Sequence, residues 1–211
     1  MHISLSKISR KFNYEWIFRD VDFEFEQNNA YAILGSNGSG KSTLLQIISG
    51  HLHPSAGTIT YSHNHTEIPV DDFFRHVTYS GPYLELIEEF TLEEMLTFHS
   101  RFRKLRHQLD VNAVMEITGL IRNRNKPIKY FSSGMKQRVR LAIALLTESE
   151  VVLLDEPAAN LDRKAIEWYR KLVFENRADR IIIVCSNSQA DEYDFCSQSI
   201  VIDDYKKNGR S

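Results

Sequence analysis

The chain has 211 residues, a mass of 24.5 kDa and a formal net charge of −2, from 26 basic and 28 acidic side chains. That balance argues against a whole-chain basic surface for nucleic acid, so no nucleic-acid partner is expected. A content of 42% hydrophobic and 26% charged residues excludes a disordered chain and is typical of a globular one. The longest aliphatic run, Leu141 to Leu146, is far shorter than the about 20 residues of a membrane-spanning helix.

The first residues, 1–7, contain no apolar signal segment, and no repeat or low-complexity linker interrupts the chain. We therefore expect a cytosolic protein with one domain over residues 1–211. Early residues such as Val21–Phe25 alternate between apolar and polar, which predicts half-buried antiparallel strands in an N-terminal β subdomain.

Three later segments are continuously apolar and of strand length: residues 31–34, 151–154 and 181–184. Such runs are typical of strands buried on both faces of a parallel sheet. Helical spacing of apolar residues separates these segments, at Val139, Ala142, Ile143 and Leu146 and again at Ile166, Tyr169 and Val173. This alternation predicts an α/β fold with a mainly parallel core sheet flanked by helices.

A further helical segment is predicted over residues 90–106, where Met95, Phe98 and Phe102 fall at helical spacing. We expect it to belong to a helical insertion over approximately residues 83–135. These helices could equally be ordinary core elements, and that interpretation leaves the α/β prediction unchanged.

A phosphate-binding loop is predicted after the strand that ends at Leu34. The residues fit the pattern G-x-x-x-x-G-K-[ST] at every defined position: Gly35, Ser36, Asn37, Gly38, Ser39, Gly40, Lys41 and Ser42, followed by Thr43 at the start of a helical segment. Glycines let successive backbone N–H groups point at phosphate oxygens, and the helix N-terminus adds partial positive charge. Lys41 is expected to reach the β- and γ-phosphates of a bound nucleotide, and Ser42 to bind Mg²⁺. A glycine-rich turn without function is the alternative, and the flanking strand and helix argue against it.

A second carboxylate for Mg²⁺ is predicted at the end of the apolar run 151–154, where Asp155 and Glu156 follow. Asp155 is expected to hold Mg²⁺ and Glu156 to act as general base on the attacking water. The alternative is that both carboxylates merely end a strand at the surface.

In this order and spacing, the motifs resemble those of the ATP-binding subunits of ABC transporters, over nearly the whole chain. Residues 131–135, Phe-Ser-Ser-Gly-Met, resemble the family signature LSGGQ: Ser132 and Gly134 keep the consensus, while Phe131, Ser133 and Met135 depart from it. Residues 159–162, which end in Asp162, resemble the D-loop after the Walker B strand.

The resemblance implies the P-loop ABC ATPase fold and an ATP hydrolase coupled to transport. Two chains, as a homodimer or a heterodimer, would sandwich two ATP molecules, and Ser132, Ser133 and Gly134 of each would complete the site of the other. It also implies a membrane-spanning permease subunit as partner and a place on the cytoplasmic face of the membrane. In a purely structural interpretation, Ser132 and Ser133 only cap a helix.

The family places an aromatic side chain near the N-terminus against adenine. Phe12 is the first choice by position, and Tyr14 and Trp16 compete with it. The alternative is that these aromatic rings pack on the small sheet.

Two family positions are filled differently in this sequence. Pro82 stands where the family has a glutamine that touches Mg²⁺, and Ser186 stands at the switch position where it has a histidine, with Asn187 as a possible substitute. Pro82 cannot ligate a metal with its side chain, and Ser186 can donate one hydrogen bond but cannot carry positive charge. Slow hydrolysis is therefore expected, and two other functions stay open: a soluble ABC-type ATPase that remodels a non-membrane assembly, and a slow nucleotide-sensing regulatory subunit.

Two His-x-His pairs, His51/His53 and His63/His65, could suggest zinc. Because no cysteine or carboxylate framework accompanies either pair in the sequence, we expect no metal ligand among them.

Overall fold

The computed structural model describes residues 1–82, 84–187 and 189–206, which form nine strands, five α-helices and six short 3-10 helices. The strands are β1 (His2–Phe12), β2 (Glu15–Glu26), β3 (Ala30–Leu34), β4 (Ala56–His63), β5 (Thr66–Ile68), β6 (Val77–Ser80), β7 (Val151–Asp155), β8 (Ile181–Ser186) and β9 (Gln198–Val201). The α-helices are α1 (Lys41–Ile48), α2 (Leu92–Phe102), α3 (Val111–Ile117), α4 (Ser133–Leu146) and α5 (Arg163–Asn176). The 3-10 helices are Val70–Arg75, Arg106–Gln108, Ile121–Asn123, Ile128–Tyr130, Ala190–Glu192 and Ile202–Tyr205.

Two compact units divide the chain. The first consists of Met1–Tyr79, Ser149–Asp155 and the chain from Arg177 onward, and the second of Ser80–Glu148 and Glu156–Asn176. The described strands form two sheets: an antiparallel sheet in the order β2-β1-β4-β5 and a five-stranded sheet in the order β6-β7-β8-β3-β9. The mixed α/β class expected from the sequence is therefore confirmed.

The predicted strand types follow from burial. In β2, Val21 and Phe25 are fully buried while Asp22 and Glu24 are exposed, so the strand has one core face and pairs antiparallel with β1. Every residue of β7 and β8 is buried, and the two strands pair in parallel, as their continuous apolar runs predict.

The core of the first unit draws on both sheets and on α1. Ile3, Leu44, Leu153 and Ile183, which come from β1, α1, β7 and β8, are each 0% exposed and belong to one apolar cluster. Within this unit, α1 packs against β7 and β8. The first helix is thereby fixed on the sheet whose strand ends carry the predicted phosphate loop.

The second unit holds α2, α3, α4 and α5, and its helices begin at side-chain caps. Thr91 forms a reciprocal capping box with Glu94 at the start of α2, and the Asp110 carboxylate accepts from the Ala113 N–H at the start of α3. The Trp168 indole of α5 donates to the Ile117 carbonyl of α3 at 2.7 Å. Caps and this contact set where each helix begins and how α5 meets α3.

The helix predicted within residues 90–106 is present as α2, and its buried face is formed by other residues than the two phenylalanines that indicated the helix. Leu92 and Leu96 are the buried residues, at 0% and 3% exposure, whereas Phe98 and Phe102 are 41% and 72% exposed. The buried stripe is set by leucines four residues apart, and the two exposed rings pack edge-on against each other at 5.0 Å.

No helix formed by the described residues is both long enough and apolar enough to cross a bilayer.

Acid pH is expected to destabilise the second unit through His99. Its Nε2 lies 2.8 Å from the Thr147 hydroxyl, which itself donates to the Ile143 carbonyl at 2.6 Å, so the imidazole is the donor. Burial, and then the Arg103 charge, lower the pKa of His99. At about pH 6 the unfolded chain therefore binds more protons than the folded chain does. The free energy of unfolding falls as the pH drops below about 6.5.

Thermal unfolding midpoints at about pH 7.5 and about pH 5.5 measure this effect. His99→Gln should reduce the acid-induced loss, while His51→Gln, at an exposed position, should leave it unchanged. An equal acid-induced loss in wild type and His99→Gln would remove His99 as its source.

Candidate functional site

The carboxyl ends of four parallel strands lie side by side in the first unit. Leu34, the last residue of β3, is in register with Ser186 of β8 and Val201 of β9, and Asp155 of β7 is in register with Cys185. In open α/β sheets ligands bind outside this edge. The sheet thus brings the phosphate loop, Asp155 and the switch-position Ser186 to one edge.

The loop between β3 and α1 has backbone that requires glycine. Gly40 is the N-cap of α1 with a φ of 107° and no side-chain cap, and Gly38 has a φ of 74°. A Cβ atom at Gly40 would lie 2.5 Å from Ile17 Cγ2 and 3.0 Å from Phe18 Cδ1. Both conformation and space exclude a side chain there, and the uncapped N-terminus of α1 is left to an anion.

Lys41 is the most distinctive side chain of this loop. It is only 5% exposed, and its ammonium donates to the carbonyl oxygens of Gly35 at 2.9 Å and Ser36 at 3.0 Å. Among the described residues Lys41 forms no ion pair. Ser39 Oγ is buried in the same loop without a hydrogen-bond partner in the described part of the chain. A buried cation and an unsatisfied hydroxyl in one loop fit an anionic, oxygen-rich ligand such as a nucleotide phosphate.

An anchor of the loop that sequence reasoning missed is Asp203. Its carboxylate accepts from the Ser36 N–H at 2.8 Å and from the Ser36 hydroxyl at 3.1 Å. The hydrogen bond from the Ser36 backbone, then that from the Lys206 side chain, lower the pKa of Asp203. Because 167 residues separate Asp203 from Ser36, no local pattern could have indicated this contact.

Oxygen ligands for Mg²⁺ are available at the same edge. Asp155 is 1% exposed and accepts from the Tyr79 hydroxyl at 3.2 Å, and Ser42 lies in the first turn of α1, the helix that packs on β7. A carboxylate and a hydroxyl are ligand types that Mg²⁺ prefers, so this donor set fits the ion.

Glu156 follows Asp155 directly and belongs to the second unit. Its backbone is left-handed, with a φ of 48°, and its carbonyl accepts from the Ala159 N–H at 3.1 Å. A non-glycine residue in this region is strained, and such strain clusters at functional sites. The turn thereby fixes the backbone position from which the Glu156 side chain extends.

The signature residues lie at the start of α4 in the second unit. Ser132 is the N-cap, since its hydroxyl accepts from the Met135 N–H at 3.2 Å, and Ser133 is the first helical residue. A Cβ atom on Gly134 would lie 3.0 Å from the Asn160 carbonyl oxygen. Gly134 therefore permits close approach between the helix start and the turn that precedes Asp162.

The remaining predicted site residues have structural contacts of their own. The Asp162 carboxylate accepts from the Ala165 N–H at 2.8 Å and caps α5, and the buried Ser186 hydroxyl accepts from the Gln189 N–H at 3.2 Å. Phe12 ends β1 with an exposed ring that carries the Arg10 guanidinium 4.6 Å from its centroid.

The two aromatic residues that compete with Phe12 differ in their surroundings. Tyr14 is fully exposed, while the Trp16 ring is flanked by the Lys11 ammonium at 5.4 Å and the Arg19 guanidinium at 4.8 Å. Pro82, in the second unit, is exposed.

Parallel strand ends, a glycine-rich loop and a buried lysine define an α/β protein of the P-loop nucleotide-binding class. The sequence description of the ABC transporter family matches residues 18–159, about two thirds of the chain. The chain belongs to the ABC transporter family, whose ATP-binding domains share this fold, and the family binds ATP. The match includes the phosphate loop, Asp155, Glu156 and the signature, whereas Phe12, Asp162 and Ser186 lie outside it.

This chain is similar in sequence to both characterised and uncharacterised ABC proteins. The chain is 30% identical over 210 residues to YxlF, an uncharacterised ABC transporter ATP-binding protein of Bacillus subtilis, covering 98% of this chain and 68% of that protein. It is 31% identical over 170 residues to the cytochrome c biogenesis ATP-binding export protein CcmA of Rhodopseudomonas palustris, covering 81% and 83%. It is also 30% identical to the human retinal-specific phospholipid-transporting ATPase, of whose length the matched region spans only 8%.

Solved structures support the same fold. An ATP-binding subunit of an ABC transporter superposes with a TM-score of 0.82 at 26% identity, over 96% of this chain and 87% of that one. A bacterial Atm1-family ABC exporter with ATP bound gives a TM-score of 0.79 at 16% identity, over 96% of this chain and 37% of that one, and so shows the fold alone.

Removal of the Asp203 carboxylate is expected to loosen the phosphate loop. Asp203→Ala frees the Ser36 N–H and hydroxyl, so the dissociation constant for ATP should rise about five- to tenfold. The matched control is Asp204→Ala, since Asp204 is exposed and next in sequence. Isothermal titration of both variants with ATP measures the difference, and equal affinities would show that the loop does not depend on Asp203.

Proposed function

We propose that this chain is the ATP-binding and hydrolysing subunit that powers an ABC transporter through ATP-driven dimer closure against a separate membrane subunit. The observation that carries the proposal is the buried Lys41 ammonium inside a phosphate-binding loop, at the sheet edge that also presents Asp155.

In this proposal, the loop from Gly35 to Thr43 binds the triphosphate. Lys41 turns from its carbonyl acceptors to the β- and γ-phosphate oxygens, and N–H groups at the start of α1 bind the remaining charge. Ser42 and Asp155 would hold Mg²⁺, which supplies charge neutralisation at the phosphates when bound. The exposed ring of Phe12 is the proposed adenine platform.

Hydrolysis is assigned to Glu156 as general base. Its carboxylate takes a proton from a water molecule whose oxygen attacks the γ-phosphorus, while the bond from that phosphorus to the β–γ bridging oxygen breaks. The products are ADP and inorganic phosphate. Lys41 stabilises negative charge on the transferring group, because it donates to oxygens that gain charge as the bond breaks.

Dimerisation would complete each site with the signature of the other chain. Ser132 Oγ accepts from the Met135 N–H, and its own O–H donates to none of the described residues, so it can donate to a γ-phosphate oxygen. The N–H groups of Ser133 and Gly134 lie in the first turn of α4, where no intrahelical acceptor exists for them. Either a second copy of this chain or a related chain would supply this helix N-terminus, and ATP would hold the two chains together. Asp162 follows the turn that lies next to the start of α4.

The proposed partner is a membrane-spanning permease, with this chain peripheral on the cytoplasmic face. The relatives' names support this assignment, since YxlF is described as an ABC transporter ATP-binding protein and CcmA as an ATP-binding export protein. A soluble ABC-type ATPase acting on a non-membrane assembly is the competing function.

A second candidate, a slow nucleotide sensor, is favoured by one observation. Ser186 is 0% exposed, so its hydroxyl is poorly placed to contact the γ-phosphate, and a serine there supplies no positive charge. ATP turnover in the presence of the membrane partner separates the two, since a sensor binds ATP without partner-stimulated turnover.

Glu156→Gln should lower ATP turnover by about 10² or more, because the amide cannot accept the proton from water. ATP affinity should be retained, since the substitution leaves the phosphate loop intact. The control is Glu167→Gln on the exposed face of α5, which should keep wild-type turnover. Phosphate release assays give the rate, and an unchanged rate in Glu156→Gln would exclude this residue as general base.

Capture of the partner tests the transporter assignment. Tagged Glu156→Gln, held with ATP, is purified from detergent-solubilised membranes of the source organism, and the co-purifying proteins are identified by mass spectrometry. A multi-span membrane protein in constant proportion is expected. A purely soluble partner, with none in the membrane fraction, would favour the remodelling ATPase instead.

A further inference from the structure

A cluster of metal-ligand side chains lies in the first unit, away from the phosphate loop. One ligand atom each of His63, His76 and Glu150 lies within 4.8 Å of the other two. We propose that these three residues form a binding site for a divalent transition metal, with Zn²⁺ as the ion tested. The site is independent of the proposed function.

His63 is presented by a tight hairpin. It is the last residue of β4 and pairs with Thr66 of β5 across the two-residue turn Asn64–His65, whose φ angles are 50° and 64°. Two successive left-handed residues are typical of a type I′ turn, which matches the twist of the flanking strands. The His63 backbone is therefore held in one position.

The other two ligands are held against each other by main-chain hydrogen bonds. The His76 carbonyl, between the Val70–Arg75 helix and β6, accepts from the N–H groups of Glu150 and Val151, both at 3.0 Å. His76 and Glu150 thus stand at the beginnings of β6 and β7. The backbone of all three ligand residues is therefore constrained, so less conformational entropy is lost when a metal binds.

The side-chain geometry fits a metal better than a simple ion pair. His76 Nδ1 lies 3.2 Å from Glu150 Oε2, yet it is buried and makes no hydrogen bond within the described residues. The His63 and His76 rings are 6.3 Å apart and nearly perpendicular, at 74°. In a tetrahedral zinc site with bonds of about 2.0–2.1 Å, neighbouring ligand atoms are about 3.3 Å apart, close to the observed His76–Glu150 separation.

The ligand chemistry selects the class of ion. Two imidazole nitrogens and one carboxylate oxygen form a donor set that binds Zn²⁺ with a water in the fourth position. The side chains of His76 and Glu150 are 26% and 31% exposed, so water and exchanging metal reach the site. From the sequence alone, His63 was not expected to be a metal ligand, because no cysteine or carboxylate framework accompanies its His-x-His pair. The fold brings it close to His76 and Glu150.

The position of the cluster indicates a structural role. Glu150 precedes β7, whose opposite end is Asp155, so the cluster lies at the other edge of the sheet, about 17 Å along the strand from the nucleotide edge. A bound ion would join the β4–β5 hairpin to the start of β6 and β7. We expect it to stabilise the first unit and to leave ATP affinity unchanged.

The test uses the untagged full chain and titrates Zn²⁺ against a chromophoric chelator. One ion per chain is expected, and His63→Gln, His76→Gln and Glu150→Gln should each weaken binding at least tenfold, because each removes one of three ligands. The matched control is His65→Asn, which removes the exposed neighbour of His63, and asparagine tolerates its left-handed backbone. This variant should bind within about twofold of wild type.

Thermal unfolding keeps the result interpretable if a variant is less stable. Saturating Zn²⁺ should raise the wild-type midpoint by about 5 °C or more and EDTA should reverse the shift, while His63→Gln should show none. Retained ATP binding shows that each variant is folded. If His65→Asn weakens Zn²⁺ binding as much as His63→Gln does, the ion is held by exposed surface histidines. If Glu150→Gln leaves Zn²⁺ binding unchanged, Glu150 is no ligand and its contact with His76 is only an ion pair. Either result overturns the proposal.

Discussion

The structure depends on the placement of one buried cation. Lys41 carries its ammonium into a loop where it is 5% exposed and contacts carbonyl oxygens of Gly35 and Ser36. Burial of a charge is costly unless an opposite charge compensates it, and carbonyl dipoles compensate only in part. An anion that enters the loop therefore gains more from Lys41 here than it would from an exposed lysine.

Several distant segments hold this cation in place. The parallel register of β3 with β8 and β9 sets the position of Leu34, from which the loop starts. At the other end, the approach of Ile17 and Phe18 to Gly40 fixes the beginning of α1. Asp203, far away in the chain, then fastens Ser36. The loop is thus supported by β2, by the parallel sheet and by the 3-10 helix that follows β9.

Helix N-termini in the second unit also present backbone N–H groups, some of which are capped by side chains. Ser132 and Asp162 cap α4 and α5 by side-chain hydrogen bonds, and Gly134 lets the Asn160 carbonyl approach the first turn of α4. Each cap satisfies one N–H and leaves others of that turn available to a ligand. The structural role of Ser132 as a cap is therefore compatible with the role in nucleotide binding that we propose for it.

Much of the fold follows from local pattern, because apolar runs and helical spacing depend only on nearby residues. The strands that contain residues 31–34, 151–154 and 181–184 were predicted in this way, and the glycines before Lys41 indicated the loop. The buried face of α2 was not predicted, since both Leu92/Leu96 and Phe98/Phe102 lie at helical spacing and only packing selects between them.

Contacts between distant segments were beyond local pattern altogether. Asp203 contacts Ser36 across 167 positions of the chain, and the carboxylate of Glu150 lies beside the distant His76, so both contacts depend on the tertiary fold. Ser186 was assigned to the switch position, and the hydrogen bond that its hydroxyl accepts from the Gln189 N–H depends on how the chain turns after β8. The proposed roles of Glu156, Phe12 and the signature residues stay predictions.

The central claim is that Lys41 is a buried charge held ready for phosphate. Lys41→Met tests it most directly, because methionine keeps much of the apolar length and removes the ammonium. Calorimetric titration with ATP, together with the thermal midpoint of the nucleotide-free protein, should give an affinity at least about tenfold weaker and a midpoint that is not lowered. An unchanged ATP affinity with a lowered midpoint would contradict the account, since Lys41 would then stabilise the loop without binding the nucleotide.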